Sequence, residues 1–193
     1  MHIAAFIVLA LAFGISNMLL MHRCGELTPI RLSRGLLLTL AMAVVQAALF
    51  LLGVMLGGML RFELPDDADA FSTANAMIFM GLDLFVVVRM LLPYLRREPR
   101  LPLFDLGDNG ACAAMAFVSG INPMLVGLGA GFAASTAFAR PVLCLTMALV
   151  MWIFAYWGLM LGRRKVAVRP RRWMVMAGVL LLAVGIAACV NAG

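Results

Sequence analysis

Apolar residues in this chain come in six long runs, at residues 3–21, 36–60, 73–94, 111–132, 141–161 and 173–190, separated by short stretches that carry almost every charge. The runs are continuous rather than alternating, so they lack the period-2 pattern of a membrane β-barrel. A helix needs ~20 apolar residues to cross a hydrocarbon core about 30 Å thick, and lipid admits only helices or closed barrels. The pattern predicts an all-α membrane protein with six transmembrane helices. The first run has no Lys or Arg before it and no clear small-residue cleavage site, so it reads as a retained span rather than a signal peptide.

Composition agrees. Of 193 residues, 65% are hydrophobic and 12% charged, against roughly 45–50% and about 25% in soluble domains. A soluble globule of this size could not hide so much apolar surface, which excludes a secreted disulfide scaffold, a disordered chain and a nucleic-acid-binding domain. The net charge of +6 is explained by position. Arg23, Arg31 and Arg34, then Arg96, Arg97 and Arg100, then Arg163, Arg164, Lys165, Arg169, Arg171 and Arg172 mark connections 1–2, 3–4 and 5–6. Connections 2–3 and 4–5 hold only Arg61 and Arg140, and the acidic stretch from Glu63 to Asp69 falls beside the former. The positive-inside rule places the odd-numbered connections in the cytoplasm and both termini outside, in a bacterial inner membrane. The arginines also suit anionic lipid headgroups. The expected partners are the bilayer and a small substrate, with no nucleic acid; a homodimer is compatible.

The chain divides around a cytoplasmic connection at residues 96–110, giving a first three-helix unit at 1–95 and a second at 111–193. Gly14-Ile15-Ser16-Asn17-Met18-Leu19 is echoed 106 residues later by Gly120-Ile121-Asn122-Pro123-Met124-Leu125. Because three spans is an odd number, the second unit enters from the opposite side. The expectation is two inverted-topology repeats, an arrangement frequent in secondary transporters.

Polar groups inside hydrocarbon are costly and mark substrate paths or helix contacts. Asp83, at the centre of span 3, is the only carboxylate in any span. It either binds a cation or proton, or stays protonated and bonded to a neighbouring helix. Arg89 sits six residues further on, on a different face, and reads first as an anchor reaching the cytoplasmic headgroups. Ser16, Asn17, Gln46, Ser119 and Asn122 complete the polar set. Gly120, Asn122 and Pro123 bring helix-breaking chemistry to span 4, and Gly14 precedes Ser16 and Asn17 in span 1. Freed carbonyls with amide side chains, one set from each half, would make an oxygen-lined site; the alternative is interhelical hydrogen bonding, above all for Gln46. Gly53 with Gly57, and Gly127 with Gly131, read as close helix packing.

Cys24, Cys112, Cys144 and Cys189 have no zinc-type spacing. Cys24 and Cys112 sit at the same end of spans 1 and 4, where an iron–sulfur centre of an electron-transfer subunit would fit; small tolerated apolar residues are the plainer reading. No Ser/His/Asp set, phosphate loop or acid pair is present, so an enzyme is not expected and no resident cofactor is implied.

Four segments, in order, resemble the MntP-like manganese efflux pumps of the LysE superfamily of small six-span exporters. They are Val45–Gly53 around Gln46, Arg89-Met90, Ile121–Gly127, and Gly162-Arg163 followed by Arg171-Arg172 and Gly178 through Gly185. The resemblance implies export of a divalent metal such as Mn2+ as substrate, by alternating access. Taken with the polar set above, it leads us to expect Asn17, Asp83 and Asn122 as metal ligands, with Ser16, Gln46 and Ser119 supporting them. The family carries Asp where this chain has Asn17 and Asn122. Manganese prefers oxygen ligands, but amides bring no charge, and in a low-dielectric site that deficit is large. Either Asp83 compensates, or the substrate differs, or this is a family member that no longer transports.

Overall fold

The computed structural model describes residues 3–28, 30–60, 68–95, 104–133 and 141–190. Arg61, Arg96, Arg97, Arg100, Arg140 and the acidic residues from Glu63 to Asp67 lie outside the described residues. Six helices follow one another: α1 (Ile3–Leu27), α2 (Leu32–Met59), α3 (Ala68–Leu95), α4 (Asn109–Ala133), α5 (Pro141–Arg163) and α6 (Pro170–Val190). All six are long and apolar enough to cross a membrane. No strand occurs among the described residues.

Several helices outrun their apolar segments. α1 continues to Leu27, because a helix need not end where the hydrocarbon ends; His22 and Glu26 sit one turn apart there at 3.9 Å. The His22 ring also contacts the Val166 carbonyl at 2.8 Å, tying α1 to the 5–6 connection. α4 starts at an Asp cap, where Asp108 accepts from the Gly110 and Ala111 N–H groups at 2.9 and 3.2 Å. Arg34 at the start of α2 donates to the Gly107 carbonyl (2.7 Å) and to Asn109 Oδ1 (3.0 Å), holding the 3–4 connection against α2.

Span 4 was expected to break at Pro123, and it does not: α4 runs unbroken through it. Proline cannot donate to the carbonyl four residues back, so the cost is confined to the Ser119 carbonyl. The Ser119 hydroxyl bonds back to the Met115 and Ala116 carbonyls at 2.7 and 3.1 Å in the same turn. α1 is likewise continuous past Gly14, whose bare Cα accommodates the Phe154 ring of α5.

The bundle is apolar outside and partly polar within. Leu37, Met77, Phe117, Leu145, Ile153 and Val179 are exposed, as lipid-facing residues should be, while Asn17, Gln46 and Asp83 are buried. α1 packs on α5 and α6, α2 on α4 and α5, and α3 on α4 and α6. Exchanging α1 with α4, α2 with α5 and α3 with α6 maps this set of pairs onto itself. The finer contacts follow the same exchange. A Cβ on Gly53 or Gly57 of α2 would strike the carbonyls of Met124 or Leu128 in α4; on Gly158 or Gly162 of α5 it would strike those of Met18 or His22 in α1. Met18 and Met124 are equivalent positions in the echoed segments of spans 1 and 4. Both close crossings therefore require small residues four apart.

Candidate functional site

A cavity of about 150 Å3 lies between α1, α3, α4 and α6. Phe104 of the 3–4 connection, Met174 at the start of α6 and Tyr94 near the end of α3 bound it toward the arginine-rich end. Ser16, Ser119 and Asn122, all near the middle of their helices, line its deep part. The volume suits several waters or a partly hydrated ion.

The chemistry of the deep wall is specific. Asn122 Oδ1 is buried and has no hydrogen-bond partner among the described residues. Ser119 carries the hydroxyl described above and the carbonyl left free by Pro123. Behind this wall α1, α2 and α4 are joined by a closed amide pair: Asn17 Nδ2 donates to Gln46 Oε1, and Gln46 Nε2 donates to Asn17 Oδ1 at 3.1 Å. Gln46 Nε2 also donates to Ser119 Oγ at 2.6 Å. Gln46 is thus an interhelical bond, and Asn17 is committed to it rather than to the cavity surface. The deletion of a partner in such a buried set costs ~1–3 kcal/mol.

Arg89 lines the cavity instead of simply anchoring α3 to headgroups. It is half-buried and makes no hydrogen bond or ion pair among the described residues. Pro93, one turn further, leaves the Arg89 carbonyl without its helical donor. The cavity's charged component is therefore a guanidinium, and its other polar components are neutral oxygens and amides.

Asp83 lies elsewhere. It is fully buried, both carboxylate oxygens lack a hydrogen-bond partner among the described residues, and it is not among the residues lining the cavity. Its side chain sits where α3 crosses α6, against Gly185, where an added Cβ would come within 2.8 Å of Oδ2. An ionised carboxylate in such surroundings costs several kcal/mol unless it is paired. Of the six residues expected to form one site, Ser16, Ser119 and Asn122 share the cavity, Asn17 and Gln46 brace it, and Asp83 is apart. Tyr94, Met90, Pro93, Phe104 and Met115 were not anticipated. Pro93 was the available signal, a helix-disrupting residue beside a charge inside a span.

The half of the bundle away from the arginine-rich end differs. Under the exchange of halves, cavity residues Leu20, Met115, Val118 and Ser119 correspond to Val126, Leu9, Ala12 and Phe13. All four of these are buried, at 0–2% exposure. The cavity thus reaches from the arginine-rich end to about mid-helix, and the four equivalent positions toward the other end are packed.

Cys24 and Cys112 do meet, in one apolar cluster with Leu106, Met115 and Leu159. Two thiols supply half the ligands of an iron–sulfur cluster, and no group of three or more His, Cys, Asp or Glu side chains suited to a metal occurs among the described residues. The pair is packed under the 3–4 connection, with Cys112 Sγ 3.8 Å from the Asp105 and Leu106 carbonyls.

A family model described as "Putative manganese efflux pump" matches residues 29–188, which takes in α2 through α6 and leaves α1 with Asn17 outside the matched stretch. No curated protein and no solved structure matches the chain.

Proposed function

The chain belongs to the MntP family of manganese efflux pumps, and from that premise we propose that it exports a divalent metal, Mn2+ in the first instance, by alternating access between two inverted three-helix repeats. The repeats are residues 1–95 and 111–193, with residues 96–110 and the other arginine-rich connections in the cytoplasm and both termini outside. The observation that carries this reading is the asymmetry of access: an open cavity ending at Asn122 on the basic side, and buried Leu9, Ala12, Phe13 and Val126 at the equivalent outer positions. On this reading the cavity faces inward. Exchanging the conformations of the two halves would seal the inner cavity and open its outer counterpart at Ser16, the position equivalent to Asn122.

Substrate enters past Tyr94 and Phe104 and meets neutral oxygens from Asn122, Ser16 and Ser119, with water completing the coordination shell that manganese prefers. Neutral ligands beside Arg89 make the site weak. Transport tolerates this, because an ion must leave as readily as it enters. Asn17 and Gln46 hold the wall in place and touch no substrate.

The test is protection of a manganese-sensitive, exporter-deficient bacterium. Expression of the chain should restore growth at raised manganese, and Asn122→Leu, matched for membrane abundance, should remove the protection. No protection by the wild-type chain, or full protection by Asn122→Leu, contradicts the proposal.

A further inference from the structure

A carboxyl group that the substrate path does not use lies buried where the two halves meet. Asp83 faces Gly185 across the α3–α6 contact, and the exchange of halves maps that contact onto itself, since α3 and α6 trade places. Position 83 is thus near the axis about which the repeats would move. A Cβ there would meet Asp83 Oδ2 at 2.8 Å, so a larger residue would make the carboxyl turn.

The surroundings select among ligands. A metal cation or sodium needs several converging oxygens, and neither Asp83 oxygen has a polar partner among the described residues. A proton needs nothing beyond the carboxyl itself. Among the described residues no charged side chain lies beside Asp83. α3 packs on α4, whose only ionisable side chain is Cys112 at the opposite end, and on α6. Arg171 and Arg172 start α6, while Cys189, one turn beyond Gly185, has its thiol 3.5 Å from both the Ala76 carbonyl and Met80 Sδ, so the nearest ionisable group is a thiol that bonds away from the carboxyl. The ionisable groups of α1 all lie from His22 onward, at its basic end. On α3 itself, Arg89 is six residues away, roughly 9 Å along the axis, with buried Val86 and Val87 between.

We infer that Asp83 is a proton-binding site that couples proton entry to the exchange of conformations. This rests on the transport reading above. In the conformation described the carboxyl is occluded, so it can gain or lose its proton only when the halves move. Outer exposure lets the carboxylate form an O–H bond with an incoming proton; inner exposure breaks that bond and releases the proton to the cytoplasm. No electrons move and no further reactant is needed. One carboxyl carries one proton, so exchange against a divalent ion moves a single net positive charge outward per cycle.

The purified chain, its Asp83→Asn variant and its Gly185→Ala variant are compared in two ways. Infrared pH titration in lipid nanodiscs should show a protonated-carboxyl band in the wild type that is missing in Asp83→Asn and shifted in Gly185→Ala. In proteoliposomes, an inward-directed proton gradient should accelerate manganese efflux through the wild type and acidify the lumen that the metal leaves. Asp83→Asn should keep manganese–manganese counterflow but lose both proton effects. A wild-type spectrum without an Asp83-dependent band overturns the inference, as does undiminished proton movement in Asp83→Asn. If the band is present and depends on Asp83 but no manganese moves, the proton site stands and the manganese reading falls. Should Asp83→Asn not fold, an unshifted band in a folded Gly185→Ala protein counts against the site.

Discussion

The two polar regions inside this bundle are built on opposite terms. Around Asn122 there is access without negative charge: a cavity open toward the basic face, lined by a serine pair, an amide and an unpaired arginine. At Asp83 there is an acid without access: a carboxyl closed in by Gly185 and apolar neighbours. A carboxylate in the cavity would bind metal and protons at the same place and make them compete. With the carboxyl at the helix crossing, the proposed metal and proton sites are separate and would be linked through conformation alone. The comparison therefore turns on whether charge and access are functionally separate.

The largest effect is expected when charge is returned to the cavity. Asn122→Asp should tighten manganese binding on the order of 100-fold, since a unit charge at contact distance is worth several kcal/mol even at an effective dielectric near 20. Calorimetry on the detergent-purified variant would read it, and an unchanged affinity would mean that metal does not reach Asn122. Next comes the brace behind the wall. Gln46→Leu leaves the Asn17 amide and the Ser119 hydroxyl without their shared partner, and should lower stability by ~1–3 kcal/mol in denaturant unfolding. It should leave the Asp83 infrared band in place. Arg89→Gln removes the cation from the cavity and should strengthen metal binding about tenfold, less at high salt because the open cavity is screened. The smallest change is Ser16→Ala, which removes one neutral oxygen. It should weaken binding by less than about tenfold, as expected for roughly 1 kcal/mol.

Much of the architecture was legible because the bilayer enforces it. Six apolar runs became six helices, and the arginine layout marks the end at which the cavity opens. The echo between Gly14–Leu19 and Gly120–Leu125 pointed to the symmetric pairing of helices, yet the stronger signal was Gly158 with Gly162. Their spacing matches that of Gly53 with Gly57, but small residues are so frequent in membrane helices that a pair stands out only once its carbonyl neighbours are known. Asp83 was conspicuous as the sole carboxylate, though its partner was not. Helical periodicity separates it from Arg89 but says nothing about which helix each will face. Asn17 and Asn122 looked alike in one dimension, as the two amides standing where the family carries Asp. In three, Asn17 satisfies Gln46 while the acceptor of Asn122 stays free, a difference set by α2, which the echo does not include. Tyr94 and Phe104 were illegible because their meeting at one cavity depends on how α3 and the residues before α4 pack, which no local pattern encodes.

The most direct measurement of the separation is manganese–manganese counterflow in proteoliposomes at equal pH on both sides, where no proton gradient contributes. Counterflow should persist in Asp83→Asn and be abolished in Asn122→Leu. Loss of counterflow in Asp83→Asn with retention in Asn122→Leu would place the metal at the buried carboxyl and contradict the account.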